Sequence, residues 1–104
     1  MNFDEYQKEA MYFRMPSADS SYALLNLGGE VGELYSAIAK QLRDGTDEDK
    51  LMADIKKEIG DILWCMAAIA EDINTTLQEI AIGNIKKLTD RKSRGVISGS
   101  GDER

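Results

Sequence analysis

Glu30-Val31-Gly32-Glu33 and Glu58-Ile59-Gly60-Asp61 are near copies of each other: two acids three residues apart, separated by a β-branched residue and a glycine. On a helix, positions i and i+3 share a face, so each pair directs its carboxylates the same way. Two such helices packed together would bring four carboxylates into one small volume. A cluster of that kind repels itself unless a cation neutralises it. Oxygen-only ligands suit Mg²⁺, with Mn²⁺ as a substitute, rather than zinc. One such pair is ordinary on a solvated helix face. Two matched pairs, each at the edge of an apolar stripe, favour a metal site. Small neighbours leave room for a ligand: on the helical wheel Glu30 lies beside Ala23 and Ala37, and Glu58 beside Cys65 and Ala68.

Composition removes the competing chemistries. The chain has no histidine, so a Glu-x-x-His di-iron bundle site is absent. A Ser-His or Cys-His nucleophile is excluded for the same reason. Gly28-Gly29 falls inside a helical pattern rather than after a strand, so no phosphate-cradling glycine loop is present. Metal-assisted chemistry on water or a phosphate remains.

Four helices are needed to position these acids. Phe3, Tyr6, Ala10 and Phe13 have helical spacing, which predicts a first helix over 3–13, broken by Pro16 and the polar run Ser17 to Ser20. A second helix is predicted over 21–43, capped by Ser20 or Ser21, with the stripe Leu24, Leu27, Val31, Leu34, Ile38 and Leu42. The turn Asp44-Gly45-Thr46-Asp47 ends it. A third is predicted over 48–72 with the stripe Leu51, Ile55, Ile59, Ile62, Met66 and Ile69. The fourth starts at a capping box, Thr75-x-x-Gln78, and runs to about Arg91. Glycines inside helices cost about 1 kcal/mol each against alanine, so Gly28, Gly29, Gly32 and Gly60 call for close helix approach or substrate access. Short links between amphipathic helices predict an all-α antiparallel helical bundle of four main helices. Residues 1–91 form its domain, and residues 92–104 a flexible Gly/Ser-rich tail.

The 104 residues, 42% hydrophobic and 31% charged, suit one soluble domain. A net charge of −6 argues against a nucleic-acid partner. No run is apolar enough to span a membrane, and the lone Cys65 points to a reducing compartment, so a cytoplasmic location is expected. The helices present more apolar face, including Tyr35, Trp64 and Met66, than one chain of this size can cover. A homodimer or homotetramer, with the bundle shared between subunits, is therefore expected.

At the acid pairs the sequence resembles the MazG-like all-α nucleoside triphosphate pyrophosphohydrolases, whose signature is E-x-x-E on one helix and E-x-x-D on the next. The matching segments here are Leu27-Gly28-Gly29-Glu30-Val31-Gly32-Glu33-Leu34 and Lys57-Glu58-Ile59-Gly60-Asp61-Ile62-Leu63-Trp64. Phe3-x-x-Tyr6-Gln7, Asn84-x-x-Lys87-Leu88 and the ending from Arg91 to Asp102 extend the likeness over nearly the whole chain. The resemblance implies Mg²⁺ held by Glu30, Glu33, Glu58 and Asp61. It also implies cleavage of a nucleoside triphosphate between its α- and β-phosphates, giving a monophosphate and pyrophosphate. Many members carry a further acid just before the first motif glutamate, where this chain has Gly29, so the pattern assigns no general base.

On that reading the leaving pyrophosphate needs cations. Lys40, Lys87, Arg91 and Arg94 are the candidates, with Asn84 able to hydrogen-bond sugar or base. The tail is expected to fold over the bound triphosphate. Trp64, Tyr22, Tyr35 and Phe13 are candidates for stacking a base, core or interface packing being their plainer use. Two alternatives stay open: a phosphoribosyl-ATP pyrophosphohydrolase of similar bundle and acids, and a non-catalytic helical partner protein.

Overall fold

The computed structural model describes every residue except Thr46, so that member of the expected turn lies outside the described residues. The rest form four helices and no strand: α1 (Phe3–Tyr12), α2 (Ser20–Asp44), α3 (Glu48–Asp72) and α4 (Leu77–Ser93). The all-α fold is as expected. α2 and α3 lie along each other as an antiparallel hairpin, while α1 packs on α3 and α4. Among the described helices α2 packs against α3 alone.

Two helix starts differ from the expected ones. α2 is capped by Asp19, whose carboxylate accepts the Tyr22 N–H at 3.0 Å, rather than by Ser20 or Ser21. A carboxylate satisfies the orphan N–H as well as a serine does and also complements the helix dipole. α4 starts one residue later than expected: Thr76 accepts the Glu79 N–H at 3.0 Å, and Thr75 Oγ1 donates to Glu79 Oε2 at 2.7 Å. The pair Thr75-Thr76 followed by Gln78-Glu79 permits either register. Leu77 decides between them, because it is buried and its N–H donates to Gln7 Oε1 at 2.8 Å. α2 ends at Gly45, whose φ of 64° suits a glycine C-cap and whose N–H donates to the Gln41 carbonyl.

Gln7 also fastens α1 to the α3–α4 turn. Its side-chain amide donates to Glu71 Oε2 at 2.9 Å and to the Thr75 carbonyl at 3.2 Å. The Trp64 indole N–H donates to the Ala10 carbonyl at 3.0 Å. These bonds surround a small core of Ala10, Ala67, Ala70 and Leu77. Arg14 grips both oxygens of Asp72 at 2.9 Å and donates from Nε to the Ala18 carbonyl at 2.7 Å. That fork pins the α1–α2 loop to the end of α3 and holds the Asp72 carboxyl below its ordinary range.

The expected apolar stripes are only partly covered. On α2, Leu24, Ile38 and Leu42 are exposed, Leu42 at 84%, and on α3 so are Ile59 and Met66. The cause is topological: with α3 as its single neighbour, α2 can bury only one side of its stripe. Ile82, Ile85 and Leu88 of α4 are exposed as well. The radius of gyration is 16.8 Å, against about 13 Å for a compact domain of roughly 100 residues. A Cβ added at Gly28, Gly29, Gly32 or Gly60 would meet nothing within 4 Å, so close packing within the chain does not account for these glycines. No helix among the described residues is long and apolar enough to cross a membrane.

Candidate metal centre and its cleft

Glu30 projects from the middle of α2 and Glu58 and Asp61 from the facing turns of α3. One carboxylate oxygen from each lies within 4.8 Å of the others. None of the three forms an ion pair with a lysine or arginine among the described residues. Burial pushes the Glu30 carboxyl up, and the charges of Asp61 and Glu58, a hydrogen bond with Glu58 and the charge of Glu33 push it further. Negative charge here is both crowded and uncompensated. The donors are all carboxylate oxygens, which fits Mg²⁺ or Mn²⁺.

Glu33 lies outside this group of three. It faces the adjoining cleft between α2 and α3, a cavity of about 210 Å³ lined in part by Glu33, Lys40, Lys50, Asp54, Lys57 and Glu58. Lys50 Nζ donates to Asp54 Oδ2 at 2.7 Å. That bond first, then the charges of Lys50, Lys57 and Lys40, hold the Asp54 carboxyl below its ordinary range. Lys40 and Lys57 have no ion-pair or hydrogen-bond partner of their own among the described residues. The cleft is thus lined by acids beside the carboxylate cluster and by lysines of both helices, with Lys57 next to Glu58 and with Lys40 and Lys50 nearer the α2–α3 turn.

The remaining candidate binding residues are elsewhere. Asn84, Lys87 and Arg91 belong to α4 and Arg94 is its C-cap, and none of them lines this cleft. Lys87 Nζ and Arg91 both donate to Asp102 Oδ1, at 3.1 and 3.0 Å, and buried Arg91 also reaches the Asp102 carbonyl at 2.7 Å. Arg94 donates to Asp90 Oδ2 at 2.9 Å and to the Arg104 carbonyl at 2.6 Å. Arg104 in turn donates to the carbonyls of Val96, Ile97 and Gly101. The tail therefore closes back on α4, which runs two residues beyond its expected end. Trp64 is taken up in the α1 contact, while Tyr22, Tyr35 and Phe13 are exposed on the surface.

Sequence reasoning passed over Lys57 and Lys50. The signal was present: Lys50, Asp54, Lys57 and Asp61 follow each other at helical spacings of four, three and four, on the edge of the helix that also carries Glu58. On α2 the ladder Glu33, Ala37, Lys40 runs in the same way.

Four helices with an unneutralised carboxylate cluster inside an antiparallel hairpin define an all-α protein with a candidate divalent-metal centre. Residues 19–96 match the MazG nucleotide pyrophosphohydrolase domain, and the chain belongs to that family. The match starts at the Asp19 cap and takes in α2, α3 and α4 but not α1. The chain is also similar to the Gene 37 protein of Mycobacterium phage L5, at 37% identity over 114 aligned residues that cover 100% of both chains. No solved structure matches it significantly.

Proposed function

We propose that this chain hydrolyses a (deoxy)nucleoside triphosphate between its α- and β-phosphates, releasing a nucleoside monophosphate and pyrophosphate, in a Mg²⁺-dependent reaction. One observation carries the proposal: three carboxylates converge from α2 and α3 with no ion-pair partner among the described residues, inside the segment that matches the family. Glu30, Glu58 and Asp61 hold the cation, and Glu33 adds a fourth carboxylate on the cleft side. Bound there, Mg²⁺ supplies positive charge against the phosphates and makes a bound water more acidic. The carboxylates would hold the cation between the helices, where its charge would offset the burial of Glu30 and its repulsion by Asp61 and Glu58.

The same reading makes the protein a cytoplasmic homodimer or homotetramer. Exposed Leu25, Leu42 and Ile85 and the extended single chain support a bundle completed by a second copy. Light scattering at micromolar concentration is expected to give at least a dimer mass, and a monomer would contradict it.

The activity is tested by assaying pyrophosphate release from the eight common (d)NTPs and from phosphoribosyl-ATP, with Mg²⁺ and after chelation. Release of monophosphate and pyrophosphate from at least one (d)NTP, abolished by chelation, is expected. No turnover of any nucleotide, or turnover indifferent to chelation, would sink the reading.

A further inference from the structure

The cleft beside the carboxylates carries both signs of charge. Glu33 and Glu58 line it next to Glu30 and Asp61. Three lysines line it from both helices: Lys40 of α2 and Lys50 of α3 stand toward the α2–α3 turn, and Lys57 of α3 stands next to Glu58. Among the described residues only Lys50 has a direct partner, Asp54, whose carboxyl is held down by that bond and by the charges of all three lysines. Two lysines beside a cavity of about 210 Å³ leave charge and space for an anion of more than one negative charge. A lysine is a compact point charge with rotatable donors, suited to phosphate oxygens rather than to a planar base.

We propose that Lys40 and Lys57 form the seat for the terminal diphosphate of the substrate, so that the polyphosphate runs from the carboxylates toward the α2–α3 turn. This rests on the hydrolysis reading for the identity of the substrate, but not for the binding of the anion. It assigns to Lys57 a role that no motif gives it, and it takes the leaving group away from the α4 cations. It also fixes the direction of the substrate. With the diphosphate toward Lys40 and Lys57, the nucleoside lies beyond the carboxylates at the opposite end. There Asn26 and Cys65 flank the hairpin, one helical turn from Glu30 and Asp61 respectively.

The test uses inorganic pyrophosphate as the probe and needs no turnover. Its binding to the full chain in the presence of Mg²⁺ is measured by calorimetry for the wild type and for the double variant Lys40→Gln/Lys57→Gln. The double change to arginine and a control, Lys56→Gln on the exposed surface of α3, are run beside them, with circular dichroism to verify helix content. The double glutamine variant should bind at least roughly tenfold more weakly, the loss expected when charged hydrogen bonds are removed. The arginine pair and Lys56→Gln should stay within about twofold of wild type by the same reasoning. Equal affinity in wild type and the glutamine pair would overturn the assignment, as would no pyrophosphate binding by the wild type. Either result would leave the hydrolysis reading to its own assay, because a protein that releases pyrophosphate from nucleotides can do so without this seat.

Discussion

Lys40 and Lys57 line the α2–α3 cleft with no ion pair among the described residues, whereas Lys87 and Arg91 on α4 and Arg94 at its C-cap are each ion-paired with a carboxylate of the same chain. Both sets are helix-borne, and both lie at helical spacing from residues of interest. Their neighbours separate them. A cation already neutralised has to break a bond before it can accept a phosphate, while one facing an open cleft does not. Arg91 shows the point best: it is 7% exposed and donates twice to Asp102. That environment holds the tail in place and offers little to a ligand.

The largest effect expected from this contrast lies at the carboxylates that the cleft lysines adjoin. Glu30→Gln, Glu58→Gln and Asp61→Asn should each reduce turnover by roughly 10³-fold, the scale of groups that act on transition-state charge. In metal-free buffer, thermal melts of Glu30→Gln should give a Tm at or above wild type. The raised Glu30 carboxyl means that its ionised form is disfavoured in the folded state, so removing that charge relieves a cost present at neutral pH. Full activity in both Glu30→Gln and Glu58→Gln would remove the acidic half of the comparison.

The lysines come next. Lys40→Gln/Lys57→Gln should raise KM for nucleotide about tenfold with Tm unchanged, while Lys87→Gln should change KM by no more than about twofold. The opposite pattern would return the phosphates to α4. Arg91→Met should act on stability instead, lowering Tm by several degrees through the loss of a buried, doubly bonded side chain, with KM kept.

Asp102→Asn should give the smallest change, a slight fall in Tm without kinetic effect. Lys87 and then Arg91 hold the Asp102 carboxyl below its ordinary value of 3.8. A depressed folded pKa adds stability above the unfolded value and loses it as pH falls through the folded one. Wild type and Asp102→Asn should therefore differ in Tm at neutral pH, with the difference beginning to shrink near the unfolded carboxylate's pKa of about 4 and vanishing only once the pH has fallen through the depressed folded value. A difference that does not shrink at all as the pH falls below the unfolded carboxylate's pKa would mean that the tail is held by something other than this charge.

Much of this was legible in the chain. The period of the apolar residues gave α3 its observed limits, and α2 and α1 within a residue at each end. The repeated acid pair pointed to the cluster of Glu30, Glu58 and Asp61 because its spacing and its stripe-edge position are both properties of a helix surface. Less could be read where a choice depended on distant residues. The Thr75–Thr76 ambiguity is settled by Gln7, far away in sequence, and the capping of α2 by a residue just outside the expected serines. The α4 cations looked free because their partner, Asp102, arrives through a Gly/Ser segment that carries no periodic signal. The stripes read as buried because amphipathicity marks an apolar face but not which elements pack against it.

The placement of the carboxylates within two consecutive helices also bears on how the molecule acquires its structure. Contacts between neighbouring elements form with little loop-closure cost and favour fast folding. The hairpin that carries the centre needs only the short α2–α3 turn, whereas the Trp64–Ala10 bond joins residues 54 apart in sequence. Refolding should accordingly assemble the α2–α3 hairpin first and dock α1 afterwards. Trp64 is the single tryptophan, so its emission would follow the later step alone, while far-ultraviolet dichroism would register the earlier one.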